Sequence, residues 1–97
     1  MFYIYILHSS SADKFYIGCT NNYLRRFEEH NSSDRITYTS KHRPWLIKAV
    51  FTCGNNEGTA IKIERFIKQQ KSKKLIEKLI DPHFMLEGFL AQLVRVP

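Results

Sequence analysis

Six consecutive residues near the start of the chain, Phe2-Tyr3-Ile4-Tyr5-Ile6-Leu7, are all aromatic, β-branched or leucine. A strand that is apolar at every position, rather than at alternate ones, is covered on both faces. The fold must therefore lay further structure on two sides of this segment. The small polar run Ser9-Ser10-Ser11-Ala12-Asp13-Lys14 has turn chemistry, and Phe15-Tyr16-Ile17-Gly18 reads as a second strand, so the pair predicts a β-hairpin. Gly18 is expected to end that strand, where the backbone needs room or an unusual dihedral. Residues 45–51, from Trp45 to Phe51, form a third apolar run and a third expected strand.

Between these strands the apolar period changes to that of helices. Thr20-Asn21-Asn22 offers capping side chains, and Tyr23, Leu24 and Phe27 share one side of a helix over residues 23–30. Asn31-Ser32-Ser33-Asp34 stops it, and a polar, basic loop is expected over residues 35–43, before Pro44. Asn55-Asn56-Glu57-Gly58-Thr59 has capping potential for a helix over residues 60–70 that buries Ala60, Ile63, Phe66 and Ile67. After the basic break at Lys71-Ser72-Lys73-Lys74, a further helix carries Leu75, Ile76, Leu79 and Ile80 and closes at Pro82. The expected order is β-β-α-β-α-α. This is an α/β (α+β) fold with a small, three-stranded, mainly antiparallel sheet flanked by helices. The main domain is expected over residues 1–82. Residues 83–97 are a tail without clear period, either a docked helix or loosely held.

A chain of 97 residues holds one core at most. Its 43% hydrophobic and 13% aromatic content suffices for a compact domain. No apolar run approaches the ~20 residues of a membrane helix, and the apolar start lacks the basic leader and cleavage site of a secretory signal. Cys19 and Cys53 stand far apart and in no metal pattern, so they are read as reduced thiols of a cytoplasmic protein. Fifteen Lys and Arg against nine Asp and Glu leave a formal charge of +6, which favours a polyanion partner.

Five side chains have types and positions that suit chemistry at a shared place. Tyr5 and Tyr16 lie on the two hairpin strands. Arg26 and His30 are four apart on one helix and so project from one face. Glu64 sits on a second helix whose other face is apolar. On position alone each has an ordinary reading. The tyrosines suit a core with satisfied hydroxyls, Arg26 pairs with Glu29, His30 complements a helix C-terminus, and Glu64 pairs with Lys68.

The segments Tyr3-Ile4-Tyr5 and Tyr16-Ile17-Gly18 are similar to the paired elements that name the GIY-YIG nuclease family. The resemblance continues through residues 22–31, Thr39-Ser40-Lys41, residues 60–68 and Lys73-Lys74, and covers roughly residues 1–80. That family includes homing endonucleases, some restriction enzymes and the incision subunit of bacterial excision repair. The likeness is nearest to its small stand-alone bacterial members. It implies a divalent-metal-dependent endonuclease that hydrolyses DNA phosphodiesters, in repair or recombination. Tyr5, Tyr16, Arg26, His30 and Glu64 would be catalytic. Glu64 would be the protein ligand of Mg²⁺ or Mn²⁺, a hard cation that keeps waters and accepts substrate phosphate. Arg26 would hold the phosphate through its planar fork. Tyr5 would orient or deprotonate the attacking water, a task for which its phenol needs a cationic neighbour such as Arg26. Tyr16 and His30 would position water and phosphate, with His30 as proton shuttle. Lys41, Arg43, Lys62, Arg65, Lys68, Lys73 and Lys74 would touch DNA, which is the implied partner; no protein partner is indicated. The alternatives are a non-catalytic nucleic-acid-binding module of the same fold and an interaction domain unrelated to nucleic acid. Three departures bear on catalysis more than on fold. Tyr3 stands where the motif names a glycine, Cys19 follows Gly18 where some relatives place lysine, and the late asparagine of many relatives has no match over residues 73–80.

Overall fold

The computed structural model describes residues 1–33 and 36–97; the parts of the expected helix stop and basic loop at positions 34 and 35 lie outside them. Strand β1 (Tyr3–Ser9) is the central strand anticipated from its unbroken apolar run. It pairs antiparallel with β2 (Lys14–Thr20) on one side and with β3 (Trp45–Thr52) on the other. The direction of the third strand, open in the sequence, is antiparallel. Alternation along β1 then divides the core in two. Ile4 and Ile6 face α2 (Glu57–Gln69) and α3 (Lys73–Ile80), packing with Ala60, Ile63, Ile67 and Leu79. Tyr5 and Leu7 face α1 (Tyr23–Ser32), packing with Trp45, Val50, Tyr23 and Phe27. A fully buried residue such as Ile63 contributes about 1.5–3 kcal/mol by this burial.

The expected count of three strands is corrected to four. Val94–Arg95 form β4 beside β3, giving the order β2-β1-β3-β4. A two-residue strand is too short to show periodicity, so only pairing with its neighbour identifies it. The segment after Pro82 is neither an α-helix nor apart from the core. A 3-10 turn at Gly88–Gln92 precedes β4, and Leu90 and Leu93 are buried with the residues of α2 and α3. Arg95 holds the end in place. Its guanidinium donates to the carbonyls of Leu79 (2.6 Å) and Asp81 (2.9 Å) and lies 4.8 Å from the Phe51 ring centre. No helix among the described residues is long and apolar enough to cross a membrane.

Each helix starts on a short polar side chain that accepts from the backbone N–H three residues on. Asn22 caps α1 at Arg25 (3.1 Å), Asn56 caps α2 at Thr59 (3.0 Å), and Ser72 caps α3 at Leu75 (3.1 Å). The basic break before α3 thus contains the cap of that helix. A register shift between Ile6 and Leu7 leaves Lys48 as the extra residue of β3. Ile47 and Val50, three apart, both reach the α1 side because of it. Asn31, in the last turn of α1, fixes the start of β3. Its carboxamide accepts from Trp45 N–H (2.7 Å) and donates to Trp45 C=O (3.0 Å).

Candidate active site

Tyr5 projects from the central strand, so a strand separates its backbone from the nearest sheet edge. Its partner in register on β2, the edge strand, is Gly18. The phenol passes directly over that glycine. A Cβ at position 18 would collide with Tyr5 Oη, Cζ and Cε1. The motif predicts a strand that stops at Gly18, but β2 runs on to Thr20. The missing side chain makes room for Tyr5; no special dihedral is used there.

Tyr16 lies opposite Leu7 and therefore on the same face as Tyr5, with ring centres 6.3 Å apart. His30 comes down from α1 between them, its ring 5.8 Å from Tyr5 and 4.8 Å from Tyr16. Tyr5 Oη is 2.9 Å from His30 Nε2, and His30 Nδ1 is 2.9 Å from Thr39 Oγ1. Arg26, one turn before His30, acts on the same phenol through its charge and donates to Glu29 at 2.8 Å. Glu64 approaches from α2, which covers the other face but packs chiefly on β2. Its charge acts on Tyr5 and on Cys19, and Lys68 Nζ donates to it at 2.6 Å. Lys68 in turn sits 5.5 Å from the Tyr16 ring centre. The edge of a sheet is where helices from opposite layers can approach one another without the sheet intervening.

Four of the five expected residues thus form one cluster, and Glu64 borders it across the edge strand. Both ordinary ion pairs, Arg26–Glu29 and Glu64–Lys68, are present as well. Exposed pairs of this kind are worth under ~1 kcal/mol and exchange readily for a more strongly charged ligand. A cleft of about 200 Å³ opens onto Tyr16, Arg26, His30, Tyr38 and Thr39, with Tyr5 behind them, 2% exposed.

The hydrogen bonds have a direction. The Tyr5 hydroxyl is buried and bonds His30. The buried Tyr5 proton then needs an acceptor, and His30 Nε2 is the one beside it. His30 consequently carries its proton on Nδ1 and donates to Thr39. Thr39 can pass its own to Thr37 Oγ1 at 3.2 Å, at the exposed end of the chain. Burial, followed by Arg26, lowers the His30 pKa to about 4, which keeps the ring neutral. Burial and then Tyr16 raise the Tyr5 pKa above its ordinary value, outweighing the lowering effect of Arg26. Arg26 thus lowers the Tyr5 pKa without offsetting burial, and the phenol keeps its proton. Burial and then Glu64 push the Cys19 thiol up to about 12, leaving it protonated. Cys19 and Cys53 are both free.

The basic residues divide. Lys68 and Lys73 line a groove of about 580 Å³ that shares Tyr16 and Tyr38 with the cleft. Lys62, Arg65 and Lys74 are exposed and line neither space, while Lys41 sits in a 3-10 turn at Thr39–His42. Arg43 is engaged internally, donating to the carbonyls of His30 (2.7 Å), Ser33 (2.6 Å) and Glu29 (3.4 Å) at the end of α1. Thr39 was visible in the sequence only as part of a matching segment; a single threonine in a polar loop shows no periodicity.

Among the described residues no group of three or more His, Cys, Asp or Glu could hold a metal ion. Such a group would be the cage of a tightly held ion. Mg²⁺ needs none, since it binds through one or two carboxylates and fills its shell with water and substrate oxygens. Glu64, its side chain 19% exposed and already holding an ammonium, is the carboxylate beside the cluster that could hold such an ion.

The model of the GIY-YIG catalytic domain matches residues 1–78. The chain is also similar to a UPF0213 protein of Fusobacterium nucleatum, 34% identical over 73 residues, which cover 75% of this chain and 71% of that protein.

Proposed function

This chain belongs to the GIY-YIG catalytic-domain family, a family of nucleases, and from that premise we propose that it is a divalent-metal-dependent endonuclease acting on DNA. The observation that carries the reading is the convergence of Tyr16, Arg26 and His30 on one cleft with Tyr5 directly behind it, its Oη 2.9 Å from His30 Nε2, the four residues coming from three separate elements. A structural tyrosine needs a hydrogen-bond partner, but it does not need an arginine, a histidine and a second phenol opening onto solvent.

In this reading Arg26 exchanges Glu29 for the scissile phosphate and neutralises charge on its oxygens. Tyr5 takes a proton from the attacking water while passing its own to His30 Nε2. Its raised pKa suits this coupled transfer better than a standing phenolate. A phosphate on Arg26 also offsets one of the charges that depress His30, which makes Nε2 a better acceptor as substrate binds. Tyr16 forms the wall of the cleft and orients water or phosphate there. Glu64 would hold Mg²⁺ or Mn²⁺, which supplies positive charge to the phosphoryl and departing oxygens. Residues 1–82 form the catalytic unit, with residues 83–97 buttressing α3 and β3.

The test is incubation of the purified chain with single-stranded, duplex and branched DNA in Mg²⁺ or Mn²⁺. Cleavage is expected, with Arg26→Ala losing on the order of 10²–10³ in rate and Glu64→Ala losing it nearly entirely. Salt-sensitive binding without cleavage in either metal would replace the enzyme with a binding module of the same fold.

A further inference from the structure

The groove beside the cleft is larger than the cleft, and the reaction just described does not use it. It runs between the end of the hairpin and the α2–α3 joint, and Tyr16 and Tyr38 form a wall common to both spaces. A strand whose phosphate lies at Arg26 has this groove as a continuation.

Its lining combines two chemistries. Lys14, Lys68, Lys71 and Lys73 face Asp13 alone, four positive charges against one negative. Lys73 is drawn toward Asp13 at 3.2 Å and Lys68 toward Glu64, leaving the charge of Lys14 and Lys71 for a ligand. The floor includes the Phe15 ring, with Lys73 Nζ 5.9 Å from its centre, and the rim carries Tyr38, 49% exposed. Aromatic faces interleaved with cations are what unpaired bases and their phosphates bind. Pockets of ~300–1,000 Å³ take one small organic ligand, so a nucleotide or two of single strand fits this groove and a duplex does not.

Lys71 gives an independent sign. It follows the end of α2 at φ 47°, the left-handed region that glycine or asparagine normally occupies after a helix. A β-carbon is strained there. The fold keeps a lysine at that position, and its side chain lines the groove.

We infer that the groove holds an unpaired DNA strand leading away from the scissile phosphate, with bases against Phe15 and Tyr38 and phosphates on Lys14, Lys71 and Lys73. The substrate is then single-stranded DNA, or a duplex bearing a single-stranded arm. The inference rests on the nuclease reading, and binding separates the two.

The experiment is fluorescence anisotropy of the full chain, without divalent metal, against labelled oligonucleotides of one sequence as single strand, blunt duplex and arm-bearing duplex. The single strand and the armed duplex bind about tenfold tighter than the blunt duplex, the factor expected from one stacked base. Lys71→Gly relieves the strained backbone, so it raises Tm while weakening single-strand binding several-fold. It also flattens the logarithmic salt dependence by ~0.7. Loss of binding in that variant cannot then be ascribed to misfolding. Tyr38→Ala weakens the single strand and Tyr38→Phe does not. Equal affinity for all three DNAs, or variants that weaken all three alike, overturns the inference. So does an acidic peptide that competes as well as single-stranded DNA. Those outcomes leave cleavage intact; absence of both DNA binding and metal-dependent cleavage removes the nuclease reading itself.

Discussion

The Thr39 hydroxyl is the acceptor for the ring proton that the Tyr5 hydrogen bond places on His30 Nδ1. With Tyr5 donating to Nε2, only an acceptor at Nδ1 keeps the ring in the useful tautomer, and Thr39 Oγ1 is that acceptor. Thr39→Val keeps the shape and removes the acceptor, so the proton moves to Nε2 and Tyr5 loses its outlet. Cleavage should fall on the order of a hundredfold, since a catalytic histidine in the wrong tautomer is severely impaired, while Thr39→Ser retains most of it. Nitrogen NMR of the His30 ring reads the tautomer directly. Full activity and an unchanged spectrum in the valine variant would show that Thr39 only fills space. At this scale the sequence was informative about side-chain type and silent about direction. Arg26, His30 and the two tyrosines were nameable, but who donates to whom depends on atoms brought together from residues far apart in the chain.

Among the elements, α1 carries the most chemistry and is held at both ends. Asn22 caps its start, and the Arg43 guanidinium gathers the carbonyls of Glu29, His30 and Ser33 at its end. The Glu29 carbonyl also accepts from the Ser33 N–H at 2.9 Å, and a planar fork matches several carbonyls at a helix end where an ammonium matches one. Arg43→Ala should cost about 1.5–3 kcal/mol of stability, with Arg43→Lys recovering only part. Denaturant unfolding measures this. A loss confined to DNA affinity, with stability unchanged, would return Arg43 to the DNA-binding role expected from its charge. The caps of α1 and α2 and the helix periods were legible because they are local. The ends of β2, the bulge at Lys48 and the whole of β4 were not, because each depends on a neighbouring strand.

For the whole molecule, the buried neutral His30 makes stability depend on pH. Its pKa is about 4 in the folded protein against an ordinary 6.5, so below about 6.5 the unfolded chain takes up a proton that the folded one refuses. Arg26 and Arg43 oppose that proton and Glu29 favours it, with burial the largest effect. Stability should therefore be unaffected by this group above pH 6.5 and fall as pH drops toward about 4. Urea unfolding of the wild type and of His30→Gln at about pH 7 and about pH 5 isolates the group, because the exposed carboxylates titrate alike in both proteins. An equal decline in the two would mean that His30 is not the group responsible.

The sequence by itself determined the two-sided central strand, the hairpin, the three helices with the caps of the first two, and the family to which these motifs point. All of these follow from the order of residue types within a few positions of one another. Only the tertiary structure decided that Tyr5 crosses the edge strand over Gly18, that Glu64 meets the cluster from the opposite layer, and that the last residues complete the sheet. Such facts depend on how far apart the backbones of different elements come to rest, which packing sets and no single segment encodes.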